Sequence, residues 1–228
     1  MSYIKFKKTK IVATLGPGCS SKTMLSRLIK SGVNVFRINF SHASYEEVDR
    51  HVHLIRSLNK ELDTNVAILA DLQGPKIRIG KMEDGVVFKK GDVFTLSTEN
   101  EITGNKQKAS LSYKDFAKDV KKGDKVLVDD GKLIFEVISS DKKYEVKLRN
   151  IQGGKLSSNK GVNLPNTKIS TASLTKKDKK DLMYAISKEL DWIALSFVRD
   201  ANDMINLREL IEKESDEKIP IIAKIEKP

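Results

Sequence analysis

Arg37, Asn39 and Ser41 stand two residues apart behind Val33 and Val35. On a strand, side chains two apart share a face, so two valines would anchor that face and three polar groups would line its exit. A fixed cation followed by two oxygen-bearing side chains suits an anionic ligand and a metal. Similar exits recur along the chain. Val66-Ala67-Ile68-Leu69-Ala70 runs into Asp71, Leu72 and then Gln73-Gly74-Pro75-Lys76-Ile77-Arg78. Trp192-Ile193-Ala194-Leu195-Ser196-Phe197 reads as a strand with Ser196 at its exit, and Pro220-Ile221-Ile222-Ala223 runs on into Lys224 and Glu226. Arg37 and Arg78 are permanent cations with forked donors that match phosphate. Lys224 is a point charge able to stabilise a developing oxyanion or to move a proton. Glu226 is a hard oxygen donor suited to Mg²⁺. Asn39, Ser41 and Asp71 can supply oxygens to a second, larger cation. Two cations, two arginines and a lysine describe a phosphoryl-transfer site, where catalysis is largely positioning and charge neutralisation.

Taken singly, each group has a plainer reading. Arg37 can be a half-exposed ion-pair residue, Asp71 a cap or turn residue, and Lys224 with Glu226 a charged strand exit. Ser196 alone says nothing. Jointly, polar exits on four consecutive core strands favour a site. His42 reads as a hydrogen-bonded loop residue, and His51 and His53 as surface residues of a helix. There is no Walker-type glycine loop and no glycine-rich loop of the protein-kinase kind.

The elements that would position these groups alternate. Residues 1–74 read as strand, helix, strand, helix, strand. Ile11 to Leu15 closes on Gly16-Pro17-Gly18. Ser20 or Ser21 caps a helix carrying Met24, Leu25, Leu28 and Ile29, which Gly32 ends. Ser44 or Tyr45 starts a second helix with Val48, Val52, Ile55 and Leu58 on one stripe. Residues 75–171 change texture to short β-like runs, with a hairpin turning at Asp130-Gly131 between Val126–Asp129 and Leu133–Ile138. They form an inserted all-β domain that holds more than half of the excess positive charge. From 172 to 228 the α/β rhythm resumes. Thr175 and Asp178 make a capping box, Asp200 to Glu214 an amphipathic helix, and Pro220 to Glu226 a last strand. Alternating elements of this kind imply a parallel sheet whose ligands bind at the carboxyl ends of the strands. The count is five such strands, and a chain stopping at the end of the fifth reads as truncated.

Composition bounds the rest. The chain has 228 residues, 39% hydrophobic and 32% charged, which suits a soluble folded protein rather than a disordered one. The single cysteine, Cys19, excludes an internal disulfide and reads as a small, mostly buried residue in a reducing compartment. No apolar run is long enough to span a bilayer, and the lysine-rich segment Met1 to Lys10 has no apolar core behind it. A cytoplasmic location is expected. The net charge of +11 admits nucleic acid as a partner, but the lysines are scattered and aromatics make up only 6%, so solvated basic faces are the favoured reading.

Five stretches, Lys10–Pro17, Arg37–His42, Asp71–Arg78, Lys160–Pro165 and Ala223–Glu226, resemble pyruvate kinases in order and spacing across essentially the whole chain. The resemblance implies an α/β fold, an incomplete (β/α)₈ barrel with an inserted all-β barrel lid. It implies phosphoryl transfer from phosphoenolpyruvate to ADP, giving pyruvate and ATP in glycolysis, with Mg²⁺ (or Mn²⁺) and K⁺ as cofactors. Arg37 aligns with the arginine that contacts the substrate phosphate, and Ser196 falls among the substrate-binding positions. Lys224 aligns with the lysine that stabilises the transition state, and Glu226 with the Mg²⁺ ligand. Asn39, Ser41, Asp71 and the backbone of Leu72 align with K⁺ ligands, and Asn39, Arg78 and Lys160 with nucleotide-binding positions. Ala43 replaces a frequent glycine. The family's segment with a second Mg²⁺ carboxylate does not occur in the 228 residues. A fragment inactive alone, and a homotetramer for the full-length enzyme, are therefore expected. The rival reading is a non-catalytic regulatory or scaffolding protein derived from a kinase half.

Overall fold

A computed structural model of the chain describes residues 8–170 and 172–226. Most of the lysine-rich start, Thr171 at the expected domain boundary, and the chain end at Pro228 lie outside the described residues. The chain separates into two compact units, one reaching Pro75 and resuming over Ser173–Glu226, the other Lys76–Ala172.

The first unit opens with β1 (Ile11–Thr14), α1 (Lys22–Lys30), β2 (Val33–Asn39), α2 (Tyr45–Leu62) and β3 (Ala67–Leu72). Local signals set these bounds. The Ser21 hydroxyl accepts from the Met24 amide at the start of α1, and Gly32 follows its end at φ 102°. Ser44 and Glu47 form a reciprocal capping box at the start of α2. The buried stripe of α2 is Val48, His51, Ile55 and Leu58. His51 therefore corrects the surface reading. It is 7% exposed, and neither ring nitrogen has a hydrogen-bond partner. The cause is helical spacing: three after Val48 and four before Ile55, it falls on the apolar stripe. His53 is exposed. Cys19, expected to be mostly buried, is half-buried in a 3₁₀ turn over Pro17–Cys19, where its sulfur accepts from the Gly16 amide at 3.2 Å.

The second unit contains β4 (Val87–Phe88), β5 (Val93–Ser97), β6 (Lys108–Ser110), α3 (Phe116–Asp119), β7 (Lys125–Val128), β8 (Leu133–Ser140), β9 (Glu145–Gln152), β10 (Gly154–Lys155) and β11 (Val162–Asn163). Six of its strands form one sheet in the order β11-β7-β8-β9-β5-β6, and β10 pairs with β4. Its core holds Phe88, Phe94 and Phe135 in mutual contact, with ring centroids 4.8–5.7 Å apart. The β7–β8 hairpin forms as the sequence suggests. Its loop is longer than the two residues Asp130-Gly131: Val128 pairs with Leu133, and Asp129, Asp130 and Gly131 all take positive φ.

The chain returns to the first unit with α4 (Lys176–Ser187), β12 (Trp192–Leu195), α5 (Ala201–Glu214) and β13 (Ile221–Ala223). Its five strands lie in the order β1-β2-β3-β12-β13, every pairing parallel. The last two strands are shorter than the sequence suggests. Phe197 adopts φ 58°, which an extended ladder does not accommodate, so Ser196 stands just beyond β12. Lys224 and Glu226 stand just beyond β13, yet the Lys224 amide still donates to the Leu195 carbonyl at 3.0 Å.

Candidate functional site

Register brings the polar exits together. Paired residues of neighbouring strands share a face. Thr14 pairs with Arg37, Asn39 with Asp71, Asp71 with Ala194, and Ala194 with Ile222. Ser196 and Lys224 follow two residues beyond Ala194 and Ile222. One sheet face therefore carries Thr14, Arg37, Asn39, Asp71, Ser196 and Lys224 at its carboxyl-terminal end.

Asp71 is the hub. It is 2% exposed, and two cations reach it. Arg37 donates from Nε to Oδ2 at 2.7 Å and also pairs through Nη2. Lys224 donates from Nζ to Oδ1 at 3.0 Å and to Oδ2 at 3.2 Å. Lys224 Nζ also donates to the Ser196 hydroxyl at 2.7 Å, and that hydroxyl donates to the Leu72 carbonyl at 2.6 Å. Glu226 Oε1 lies 3.4 Å from Lys224 Nζ, while Oε2 accepts from the Phe197 amide at 3.0 Å. A nearly buried carboxylate is tolerable here because two cations and a hydroxyl compensate it. Arg37, Lys224, Asp71 and Glu226 sum to zero charge. A phosphate entering this cluster brings negative charge that an added cation would balance.

Asn39 and Ser41 sit beside the hub. Asn39 Oδ1 accepts from the Ser41 amide at 3.0 Å, an arrangement in which the side chain folds its own loop. His42 is exposed, and its amide donates to the Asn39 carbonyl at 3.1 Å. Among the described residues, no three His, Cys, Asp or Glu side chains gather as a metal cage.

The β3 exit is pinned from α4. The Gly74 amide donates to Asp178 Oδ1 at 3.0 Å, and Asp178 is fully buried. Gly74 has φ +68°, and a β-carbon there would lie 2.8 Å from the Ser196 carbonyl oxygen. The Thr175–Asp178 capping box was legible in the sequence, but its reach back to Gly74 was not. Thr14 and Phe197 were missed as well. Thr14 closes an apolar run just as Asp71 does, and that signal could have found it.

Arg78 and Lys160 belong to the second unit, where they are neighbours. Arg78 forms a bridge with Gly161, and its Nη1 donates to the Asn159 carbonyl at 2.7 Å. Lys160 pairs with Asp129 at 2.9 Å. That ammonium, with Lys132, holds the Asp129 carboxyl below the usual carboxylate range.

A family model described as the barrel domain of pyruvate kinase matches residues 6–228. A curated pyruvate kinase 2 of Synechocystis sp. is 44% identical over 225 residues, covering 97% of this chain. A pyruvate kinase of Staphylococcus aureus is 41% identical over 222 residues, covering 96% of it. The chain spans 38% of the length of each of these relatives. A crystal structure of a pyruvate kinase from Cryptosporidium parvum superposes with a TM-score of 0.88 at 32% identity, covering 97% of this chain and 46% of that one.

Proposed function

Because the chain belongs to the pyruvate kinase family and carries part of its barrel with the inserted all-β domain, we propose that its first unit supplies one wall of the site that passes a phosphoryl group from phosphoenolpyruvate to ADP. The convergence of Arg37 and Lys224 on Asp71, with Glu226 beside Lys224, is the observation that carries this reading.

In this reading Arg37 holds the substrate phosphate with its fork of donors, and Lys224 faces the oxygen on which enolate charge develops. Ser196 orients Lys224 by accepting its proton at 2.7 Å. Asp71 keeps the two cations apart and in place. Glu226 keeps lone pairs free besides the one given to Phe197, so it fits a Mg²⁺ or Mn²⁺ ligand. Asn39, Ser41, Asp71 and the Leu72 carbonyl are all hard oxygens at adjacent strand exits, and this donor set fits K⁺. These ions would supply the positive charge that the neutral cluster lacks when phosphate enters. Asn39, Arg78 and Lys160 are proposed to meet the nucleotide.

We assign the reaction to glycolysis in the cytoplasm, with phosphoenolpyruvate and ADP or ATP as the partners, neither nucleic acid nor membrane among them, and a homotetramer for the full-length enzyme. Among the described residues no helix is long and apolar enough to cross a membrane. The test is a coupled assay of a chimaera in which residues 1–228 replace the matching stretch of the Staphylococcus aureus relative. Turnover of phosphoenolpyruvate and ADP is expected from the chimaera and not from residues 1–228 alone. A well-folded chimaera without turnover would sink the proposal.

A further inference from the structure

Arg37 uses only part of its donor capacity on Asp71. A guanidinium has five N–H groups in a fixed planar fork. Nε and Nη2 serve Asp71, and Nη1 donates to the Thr14 hydroxyl at 2.8 Å. Two N–H groups are then left for an anion. The guanidinium is held from opposite neighbours in the sheet, with β1 on one side and β3 on the other.

Thr14 is itself held firmly. It pairs in register with Arg37, and the next amide, Leu15, donates to the Arg37 carbonyl at 2.9 Å. The Thr14 carbonyl accepts from the Cys19 sulfur at 3.5 Å, which ties it to the turn that follows. As a β-branched residue it has few side-chain rotamers, so its hydroxyl keeps a fixed place. The side chain is exposed at the sheet edge and contributes little to either core. An exposed threonine whose hydroxyl accepts from a site arginine has more to do there than fill space.

We propose that Thr14 is a positioning residue. Its hydroxyl fixes the plane of the Arg37 guanidinium so that the two remaining N–H groups are presented as one fork to the substrate phosphate. Asp71 alone would leave the group free to pivot about its shared oxygen, since both Nε and Nη2 meet Oδ2. The acceptor from Thr14 removes that pivot. This rests on the function proposed above.

Valine keeps the shape and β-branching of threonine and removes only the acceptor. The Arg37 side-chain nitrogens are followed by NMR in the 228-residue chain, and phosphoenolpyruvate binding is titrated by calorimetry in the Staphylococcus aureus chimaera that carries residues 1–228. Thr14→Val should speed rotation about the Arg37 Cζ–Nη1 bond. It should also weaken phosphoenolpyruvate by about tenfold, the loss expected for one charge-assisted contact held out of line. Thr14→Ser should restore both. An Arg37 spectrum and an affinity unchanged by Thr14→Val would overturn the proposal. A chimaera that ignores phosphoenolpyruvate, beside a 228-residue chain that shows the altered arginine spectrum in Thr14→Val, would overturn the phosphoryl-transfer reading and leave the tether standing.

Discussion

At the scale of single residues, the polar groups that the sequence singled out divide by what they touch. Arg37 and Lys224 are both engaged with Asp71, so the carboxylate organises the two cations in addition to the place proposed for it among the K⁺ oxygens. Sequence spacing put Arg37, Asn39 and Ser41 on one face of a strand and Asp71 at the exit of another. It could not show that Asp71 would be 2% exposed between two cations, since that depends on the register of three strands. Gly74 is the residue most tightly constrained by the site. It combines φ +68° with a carbonyl 2.8 Å from where a β-carbon would stand. Gly74→Ala should cost about 2 kcal/mol or more, from left-handed strain plus displacement of the Ser196 carbonyl. Urea denaturation would measure it. A change below the scatter of surface substitutions would mean that the exit relaxes freely.

At the scale of elements, caps and stripes were legible because they are local. The Ser44–Glu47 and Thr175–Asp178 boxes, Gly32 and the helix stripes all follow from residues a turn apart. The ends of β12 and β13 were not, because Phe197 takes a left-handed conformation that no propensity signals. His51 shows how a stripe outranks polarity. Its imidazole is buried without a partner, and burial, with a smaller contribution from the Arg50 charge, holds its pKa below the ordinary 6.5, while Glu47 opposes weakly. The folded protein then refuses a proton that the unfolded chain accepts below about pH 6.5. Stability is therefore full above that pH and falls as pH drops toward the depressed folded value. Thermal midpoints between pH 7.5 and 5 should fall more steeply for the wild type than for His51→Leu. Parallel curves would show that the imidazole gains a proton acceptor when the pH drops.

At the scale of the whole molecule, two units with separate cores divide the labour. The parallel sheet presents Arg37, Asp71, Ser196, Lys224 and Glu226 from one end. The all-β unit holds Arg78 and Lys160 together around its Asn159–Gly161 turn. The alternating rhythm and its interruption made both units legible in the sequence. The strand order within the β unit was not, since β5 pairs with both β6 and β9 across long stretches of chain. The central claim is that the cluster at the end of the parallel sheet performs phosphoryl transfer. The most direct measurement compares turnover of phosphoenolpyruvate and ADP by the Staphylococcus aureus chimaera carrying residues 1–228 with that of its Lys224→Met variant. Arg37 and Ser196 still partner Asp71 in the variant, so its thermal midpoint should move by only a few degrees. The rate should fall by about a thousandfold, as when a group stabilising charge in the transition state is removed. A variant that keeps its fold and turns over within tenfold of the parent would contradict the account.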